Sequence, residues 1–369
     1  MKICYLSNSA IPSSVASAIQ IVKMCEAFSK LGNDVTLIST NVSHSKKNLF
    51  DFYNVKKKFR FKKLNYFKKF PLGFNFYLFS IMSIYESIKY RPDIYITRNF
   101  FSCFLLILLN KKVILEIHHD LSNESRIVRF LVKYTKFLNS TNIKKLIAIT
   151  KSVKNLYKNK YYINENKFLV LPSGSSINKT FNFKNKKNSF KVGYFGSLYK
   201  SRGLDLIINL AKIDKKNSYY LYGNTSNLSK YYFSKSIKNL YIKNYIPYKQ
   251  IPDAISKMDI LLLPYVSKIT VAGDVGDITN YTSPLKLFDY LCLGKIIICS
   301  DFDVLKETLK ERENAIFIKN YKNIAAWKNE IIKLKNEPSR QLIISKNNYK
   351  LSKKYSLTNR AKTILSSLG

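Results

Sequence analysis

The sequence predicts an α/β protein built from two doubly wound parallel sheets in tandem. Three observations predict it. Short apolar runs alternate with amphipathic helical stretches, the order that makes βαβ units. The opening pattern returns midway, with KVGYFGS at 191–197 echoing KICYLSN at 2–8. The chain has 369 residues, and a single hydrophobic core stops growing beyond roughly 250 residues.

The elements follow in order. KICYLS (2–7) is a strand, followed by a Ser- and Ala-rich loop and a helix running to about residue 31. Ile19, Val22, Met24, Ala27 and Phe28 form the apolar face of that helix, and Gly32 stops it. DVTLIS (34–39) closes the first βαβ unit. Further strand signals are DIYIT (93–97), VILEI (113–117), KLIAI (145–149) and FLVLP (168–172). FFSCFLLILL (100–109) is a core helix, because a membrane span needs about 20 apolar residues. The polar run KNKKNS (184–189) is the expected linker, which divides the chain into domains at 1–184 and 190–345. The second domain carries a helix at 203–213 and strands YYLYG (219–223), LYIKNYI (240–246), DILLLPY (259–265) and IIIC (296–299). The tail is helical, with Pro338 opening one helix and Ser356 the N-cap of the last. Ligands of such sheets bind outside the C-terminal strand edges, so a cleft shared by the two domains is the expected site.

Composition narrows the class. Hydrophobic residues are 46% and charged ones 23%, as in a globular chain, while 63 Lys and Arg against 23 Asp and Glu give +40. Such a field favours phosphorylated ligands, polyanions and anionic membranes. Lys and Asn nevertheless run through every segment, which is compositional bias as much as a dedicated patch. Cys4, Cys25, Cys103, Cys292 and Cys299 contain no CxxC and read as buried reduced thiols, hence a cytoplasmic protein. The start has too short an apolar run for a signal peptide. Residues 55–70, VKKKFRFKKLNYFKKF, interleave cations with aromatics. They read either as a strand and turn with solvated lysines or as a loop that touches anionic lipid headgroups or a polyanionic acceptor.

Residues 281–300, YTSPLKLFDYLCLGKIIICS, hold the most chemistry. Ser283 suits an N-cap and Pro284 the first helical position. Leu285, Leu287, Phe288 and Leu291 form an apolar face, and Gly294 ends the helix. Lys286 in the first turn opposes the helix dipole, which makes sense if an anion such as phosphate sits at the helix mouth. Asp289 lies on nearly the same face, where it can accept from a sugar diol. A second basic strand-to-helix turn, GSLYKSRGLDLI (196–207), brings Gly196, Gly203, Lys200 and Arg202. Two such turns at one sheet edge suit a diphosphate held from both sides.

His118 and His119 follow a strand end in EIHHDL, where a cleft belongs, and one of them is a candidate contact. Glu116 has no evident partner and does not form an acid/base couple with Asp120. Arg98 ends a strand and faces either the cleft or a surface ion pair. VAGDVGDITNYT (271–282) reads as a lid. Asp274 and Asp277 there suit sugar hydroxyls and lack a third ligand for a metal.

Several of these motifs, in this order, resemble glycosyltransferase family 4. TSPLKLFDYLCLGKIIICSDFDVLKETL (282–309) resembles its E-x7-E donor region in the variant that opens Ser-Pro-x-Lys. VGYFGSLYKSRGLDLI resembles its phosphate loop, and LIAIT with LVLPSG resembles the end of its first domain. KKYSLTNRAKTIL (353–365) resembles its closing helix. The resemblance implies the GT-B architecture, two Rossmann-like domains facing a central cleft, with residues 346–369 crossing back to the first domain. It implies a retaining glycosyltransferase, without metal or other cofactor, that moves a sugar from a nucleotide-sugar to a glycan, lipid-linked or other acceptor. His118 or His119 would contact the donor sugar, and Arg202 and Lys286 would neutralise the departing diphosphate. Gly196, Ser197, Ile246, Ser283, Pro284, Leu285 and Asp289 would bind the donor, with Asp289 on the ribose hydroxyls. The chain departs from the family pattern at Tyr281, where the first glutamate stands, and at Ser197, where an arginine is usual. It departs again at Ser13, Ser14, Ala16 and Ser17, where a glycine pair is usual. A peripheral contact with the inner face of the membrane is a further expectation. The alternatives are a polyanion- or nucleic-acid-binding protein using the charge, without a recognisable nucleic-acid motif, and an NDP-sugar epimerase of the same fold.

Overall fold

The computed structural model describes residues 1–40, 48–65, 71–183, 189–226, 228, 237–266, 269 and 277–369. Seven strands build the first sheet: β1 (Lys2–Ala10), β2 (Asp34–Thr40), β3 (Arg60–Leu64), β4 (Ile94–Thr97), β5 (Val113–Ile117), β6 (Ile143–Ala148) and β7 (Phe168–Val170). Their order is β3-β2-β1-β4-β5-β6-β7, and neighbours pair in parallel. The second sheet has β8 (Lys191–Phe195), β9 (Ser218–Tyr222), β10 (Leu240–Lys243), β11 (Ile260–Leu263), β12 (Ile296–Ser300) and β13 (Ala315–Ile318). It runs β10-β9-β8-β11-β12-β13, also in parallel. Each sheet reverses its winding at one place, between β1 and β4 and between β8 and β11. Ligand sites of open α/β sheets form at such switch points.

Alternation along the central strands shows why both faces of the second sheet must be covered. Ile260 and Leu262 of β11, with Ile296 and Ile298 of β12, join a core with Trp327 and the helix Leu204–Ile213. Leu261, Leu263, Ile297 and Cys299 face the other way, into a core with Leu287, Tyr290 and Leu291 of the helix Leu285–Cys292. In the first sheet Tyr5, Ile94, Ile96, Ile114 and Ile147 pack against the helix Ala16–Lys30. Leu357, Ala361 and Ile364 of the helix Leu357–Ser366 cover the same core. Each such side chain stabilises the fold by about 1.5–3 kcal/mol.

The chain divides into two compact units, Met1–Ser173 with Leu357–Gly369, and Gly174–Ser356. The boundary therefore falls ahead of the polar run at 184–189, of which 184–188 lie outside the described residues. The reason is local. The Ser175 hydroxyl donates to Asp289 at 2.6 Å, Ser175 bridges to Ser356, and the Phe181 ring packs on Tyr349, so the stretch after Ser173 belongs to the second unit. The return to the first unit starts at Leu357 rather than at 346, because the helix Pro338–Lys354 packs on the second unit through Ile344.

The basic stretch takes the strand reading as β3, and one strand, β13, was not anticipated. In β3 the basic stretch uses its alternation: Phe59 and Phe61 pack on the core, while Arg60 and Lys62 stay exposed at the sheet edge. Phe59 packs edge-on to Phe50, so its ring points into the core rather than toward a bilayer. The rest of that stretch, 66–70, lies outside the described residues, as do 271–276 of the expected lid, with Asp274. All five cysteines are free and buried. Among the described residues no helix is long and apolar enough to cross a membrane, and no cluster of three metal-binding side chains occurs.

Candidate active site

In the second unit, β8 runs into Gly196, whose φ of 149° suits glycine. A 3-10 turn at Lys200–Arg202 and a left-handed Gly203 (φ 80°) then open the helix Leu204–Ile213. A β-carbon on Gly203 would stand 1.9 Å from the Pro264 carbonyl oxygen, so the loops after β8 and β11 are in direct contact. This is the switch point of the sheet.

The helix Leu285–Cys292 points its start at the same place. Pro284, not Ser283, is its N-cap, and the helix begins at Leu285. An extended ψ of 123° at Pro284 makes the shift, and its ring offers no acceptor, so no N-cap side chain covers the first turn. The Lys286 ammonium lies 4.0 Å from the ring centre of Tyr194 and 5.7 Å from that of Tyr265. The Arg202 guanidinium lies 5.4 Å from the same Tyr265 ring. Two cations thus share one aromatic, and among the described residues no carboxylate pairs with Lys286. Burial, and then the charge of Arg202, push the Lys286 pKa well down. Such a pair is unfavourable alone and favourable around an anion.

The remaining donor-side residues fall around it. The Ser197 carbonyl accepts from the Tyr194 hydroxyl at 2.9 Å. Ile246, half-buried beyond β10, packs on the core under the Leu285–Cys292 helix. Asp289 is buried one turn on from Lys286, with Oδ1 taken by Ser175. Burial lifts its pKa to about 7, although the serine hydrogen bond works against the rise. Its carboxylate therefore anchors the start of the second unit, a role that the sequence did not suggest.

The first unit holds the histidines, and they diverge. His119 Nε2 meets Glu124 at 2.9 Å, while His118 Nε2 meets Glu116 at 2.7 Å. Glu116 does have partners, contrary to the sequence reading. Arg98 donates to it at 2.7 Å, and Arg360 of the last helix lies 3.4 Å away. Burial alone would raise the Glu116 pKa, but Arg360 and Arg98 outweigh it and hold the carboxyl well below the usual range. Burial, then Arg98, lowers the His118 pKa to about 4. Arg98 thus belongs to a buried cluster rather than to a surface pair. Asp120 is engaged elsewhere, accepting from Ser122, Tyr161 and Lys160.

Sequence reasoning missed Tyr194, Tyr265, Glu116 and Arg360. Glu116 left one signal, a lone carboxylate inside the apolar run VILEI, which a buried strand tolerates only when paired. Tyr265 follows β11 at the switch point, closing the apolar run DILLLPY, which was the other available sign.

Comparison with known proteins follows the same division. Residues 17–178 match the family model described as Glycosyltransferase Family 4, and residues 176–351 match that of Glycosyl transferases group 1. No curated protein sequence matches the chain. Among solved structures it is similar to a sucrose-phosphate synthase from Thermosynechococcus elongatus. That match has a TM-score of 0.74 and 12% identity, and covers 100% of this chain and 99% of the other. It is also similar to a glycosyltransferase from Rickettsia africae ESF-5, with TM-score 0.72, 15% identity and coverage of 99% and 97%. A third is Alr3699/HepE of Anabaena in complex with UDP and glucose, with TM-score 0.71, 12% identity and coverage of 100% and 99%. At these identities the structures speak for the fold, and the two family models speak for the lineage. The chain belongs to the GT-B glycosyltransferases of the family 4 type.

Proposed function

We propose that this protein transfers a sugar from a nucleotide-sugar to a glycan, lipid-linked or other hydroxyl acceptor with retention of configuration. The observation that carries the donor half is the pair Lys286 and Arg202, both beside the Tyr265 ring at the mouth of the Leu285–Cys292 helix. As the glycosidic bond breaks, charge builds on the departing diphosphate, and two preorganised cations stabilise it without a metal. The acceptor hydroxyl loses its proton to a diphosphate oxygen, so no carboxylate base is required. Asp289 holds the ribose through the oxygen that Ser175 leaves open, and His118 or His119 meets the donor sugar. Anabaena HepE was solved with UDP, which makes UDP the first ligand to try here.

The test is a thermal-shift panel of UDP, GDP and ADP at low and high salt, followed by a mass-spectrometric screen of nucleotide-sugar hydrolysis. Stabilisation by one nucleoside diphosphate that survives high salt supports the reading. Stabilisation by all polyanions that vanishes with salt turns it into non-specific charge binding.

A specific surface favours a membrane-bound acceptor. The helix Arg126–Thr135 exposes Ile127, Phe130 and Tyr134 at helical spacing, with Arg126, Arg129, Lys133 and Lys136 exposed beside them. It is tied through a 2.6 Å contact of Ser125 with Tyr77 to the helix Leu72–Ile88, which exposes Phe74, Ile81, Tyr85 and Ile88. Apolar side chains ringed by cations suit the boundary of an anionic bilayer. Phe130→Ser with Tyr134→Ser should abolish co-sedimentation with vesicles containing phosphatidylglycerol. Equal sedimentation of the variant, or none by the wild type at low salt, removes this surface from the proposal.

A further inference from the structure

Glu116 stands out in the first unit. It lies on the face of β5 that also carries Ile114, a face otherwise packed with Tyr5, Ile96, Ile147 and the helix Leu357–Ser366. A carboxylate there needs full compensation. Oε2 is approached by Arg360 at 3.4 Å, and Arg360 also donates through Nε to the Pro172 carbonyl at 3.0 Å and through Nη2 to that of Leu171 at 3.3 Å. Oε1 accepts from Arg98 Nη2 at 2.7 Å and meets His118 Nε2 at 2.7 Å. One carboxylate thus joins the ends of β4, β5 and β7 to the closing helix. The most exposed of these partners is His118, whose side chain is 27% exposed against 17% for Arg98, 4% for Arg360 and 1% for Glu116. Beside it, Tyr5 Oη and Arg98 Nε are buried without hydrogen-bond partners.

We infer that Glu116, clamped between Arg98 and Arg360, is a positioning residue that fixes His118 as the Nε2–H tautomer and presents bare Nδ1 as a hydrogen-bond acceptor for a sugar hydroxyl. An ionised carboxylate can only accept, so the proton between the two groups must ride on Nε2. A neutral ring with Nε2–H has a lone pair at Nδ1 and nothing to donate there. His118 is therefore an acceptor rather than a proton donor or a cation. The charged and titratable groups around it are Arg98 after β4, Glu116 on β5, neighbouring His119 and Arg360 on the last helix. Burial, Arg98 and His119 oppose a proton on the ring and prevail over Glu116, which favours one. The identity of the hydroxyl rests on the sugar-transfer reading above; the tautomer does not.

The experiment is long-range 1H–15N correlation spectroscopy of protein labelled at histidine. The chain has three histidines, so assignment needs only His118→Asn and His119→Asn. At pH 7 the His118 ring should show a protonated Nε2 and a bare Nδ1, and keep that pattern down to about pH 4. An Nδ1–H tautomer, or a ring that titrates like a solvated imidazole, overturns the inference. In Glu116→Gln, whose amide can donate as well as accept, the ring should mix tautomers. Turnover kcat should then fall by about tenfold or more, as when a histidine loses its orienting carboxylate, while nucleotide diphosphate affinity is unchanged. A folded Glu116→Gln with an unchanged ring pattern and unchanged kcat also overturns it. If that variant does not fold, the wild-type spectrum and its pH course still decide. No substrate enters the spectrum, so a failed sugar-transfer screen leaves the tautomer standing, and a wrong tautomer leaves sugar transfer standing.

Discussion

The Lys286 ammonium occupies the space that a β-carbon on Gly196 would need, 2.6 Å from where that atom would stand. Gly196 is therefore what lets a lysine from the helix start lie against the phosphate loop. Gly196→Ala should displace the flexible lysine and lower nucleotide diphosphate affinity by roughly tenfold, about 1.4 kcal/mol. Titration calorimetry checks it. Gly203→Ala meets the backbone oxygen of Pro264 instead, which cannot swing aside. It should cost more than about 2 kcal/mol of stability in chemical denaturation.

Lys286 is held near Arg202 at a site with no carboxylate partner for it among the described residues. Removing one cation should relieve the free protein. Lys286→Met is expected to raise the melting temperature of the apo form by a few degrees, on the order of 1 kcal/mol. It should also abolish the shift produced by a nucleoside diphosphate and most of the transfer activity. A variant that is less stable and still shifts with ligand contradicts the anion site.

Two buried groups should pull stability in opposite directions with pH. Asp289 titrates near 7 when folded and near 3.8 when unfolded, so between those values the folded state holds the extra proton. Its contribution falls as pH rises from about 4 to 7. His118 titrates near 4 when folded and near 6.5 when unfolded, so there the unfolded state holds the extra proton. Its contribution rises as pH rises across that window. Each slope approaches about 1.4 kcal/mol per pH unit and the two offset one another. Asp289→Asn should expose a stability that drops on acidification below pH 6.5, and His118→Asn one that grows as pH falls from 7. Urea midpoints of both variants across pH 4–8 check the signs.

Asp289 has a second consequence. Ser175→Ala leaves its buried carboxyl without a donor, so the pKa should rise above about 7 and sugar-nucleotide affinity should weaken most at neutral pH. Affinity recovering at pH 8.5 is the expected sign, measured by titration at both pH values.

Most of the architecture was legible in sequence because both sheets are buried on two faces. ILLL in β11 and IIIC in β12 are runs that only a covered parallel strand supports. Edge strands were harder: β3 was legible only as one of two readings of the basic stretch, because half its side chains face water, and β13 escaped because it is short. The helix at Lys286 was legible through Pro284 and Gly294, though it starts one residue later than spacing suggested. The unit boundary was not, because it follows hydrogen bonds of Ser175 rather than a change in composition. Nor were the partners of Glu116, since Arg98 and Arg360 stand 18 and 244 residues away in the chain.

The helix Leu357–Ser366 follows the whole second unit in the chain, yet its Leu357, Ala361 and Ile364 fill the core of the first. During synthesis, then, the usual sequence of N-terminal domain first cannot hold to completion. The first sheet leaves the ribosome with one flank of its core bare and Glu116 lacking Arg360, and it waits while the 183 residues of another unit, 174–356, are made. Truncation near residue 356 would leave the later-made unit whole and the earlier-made one unfinished.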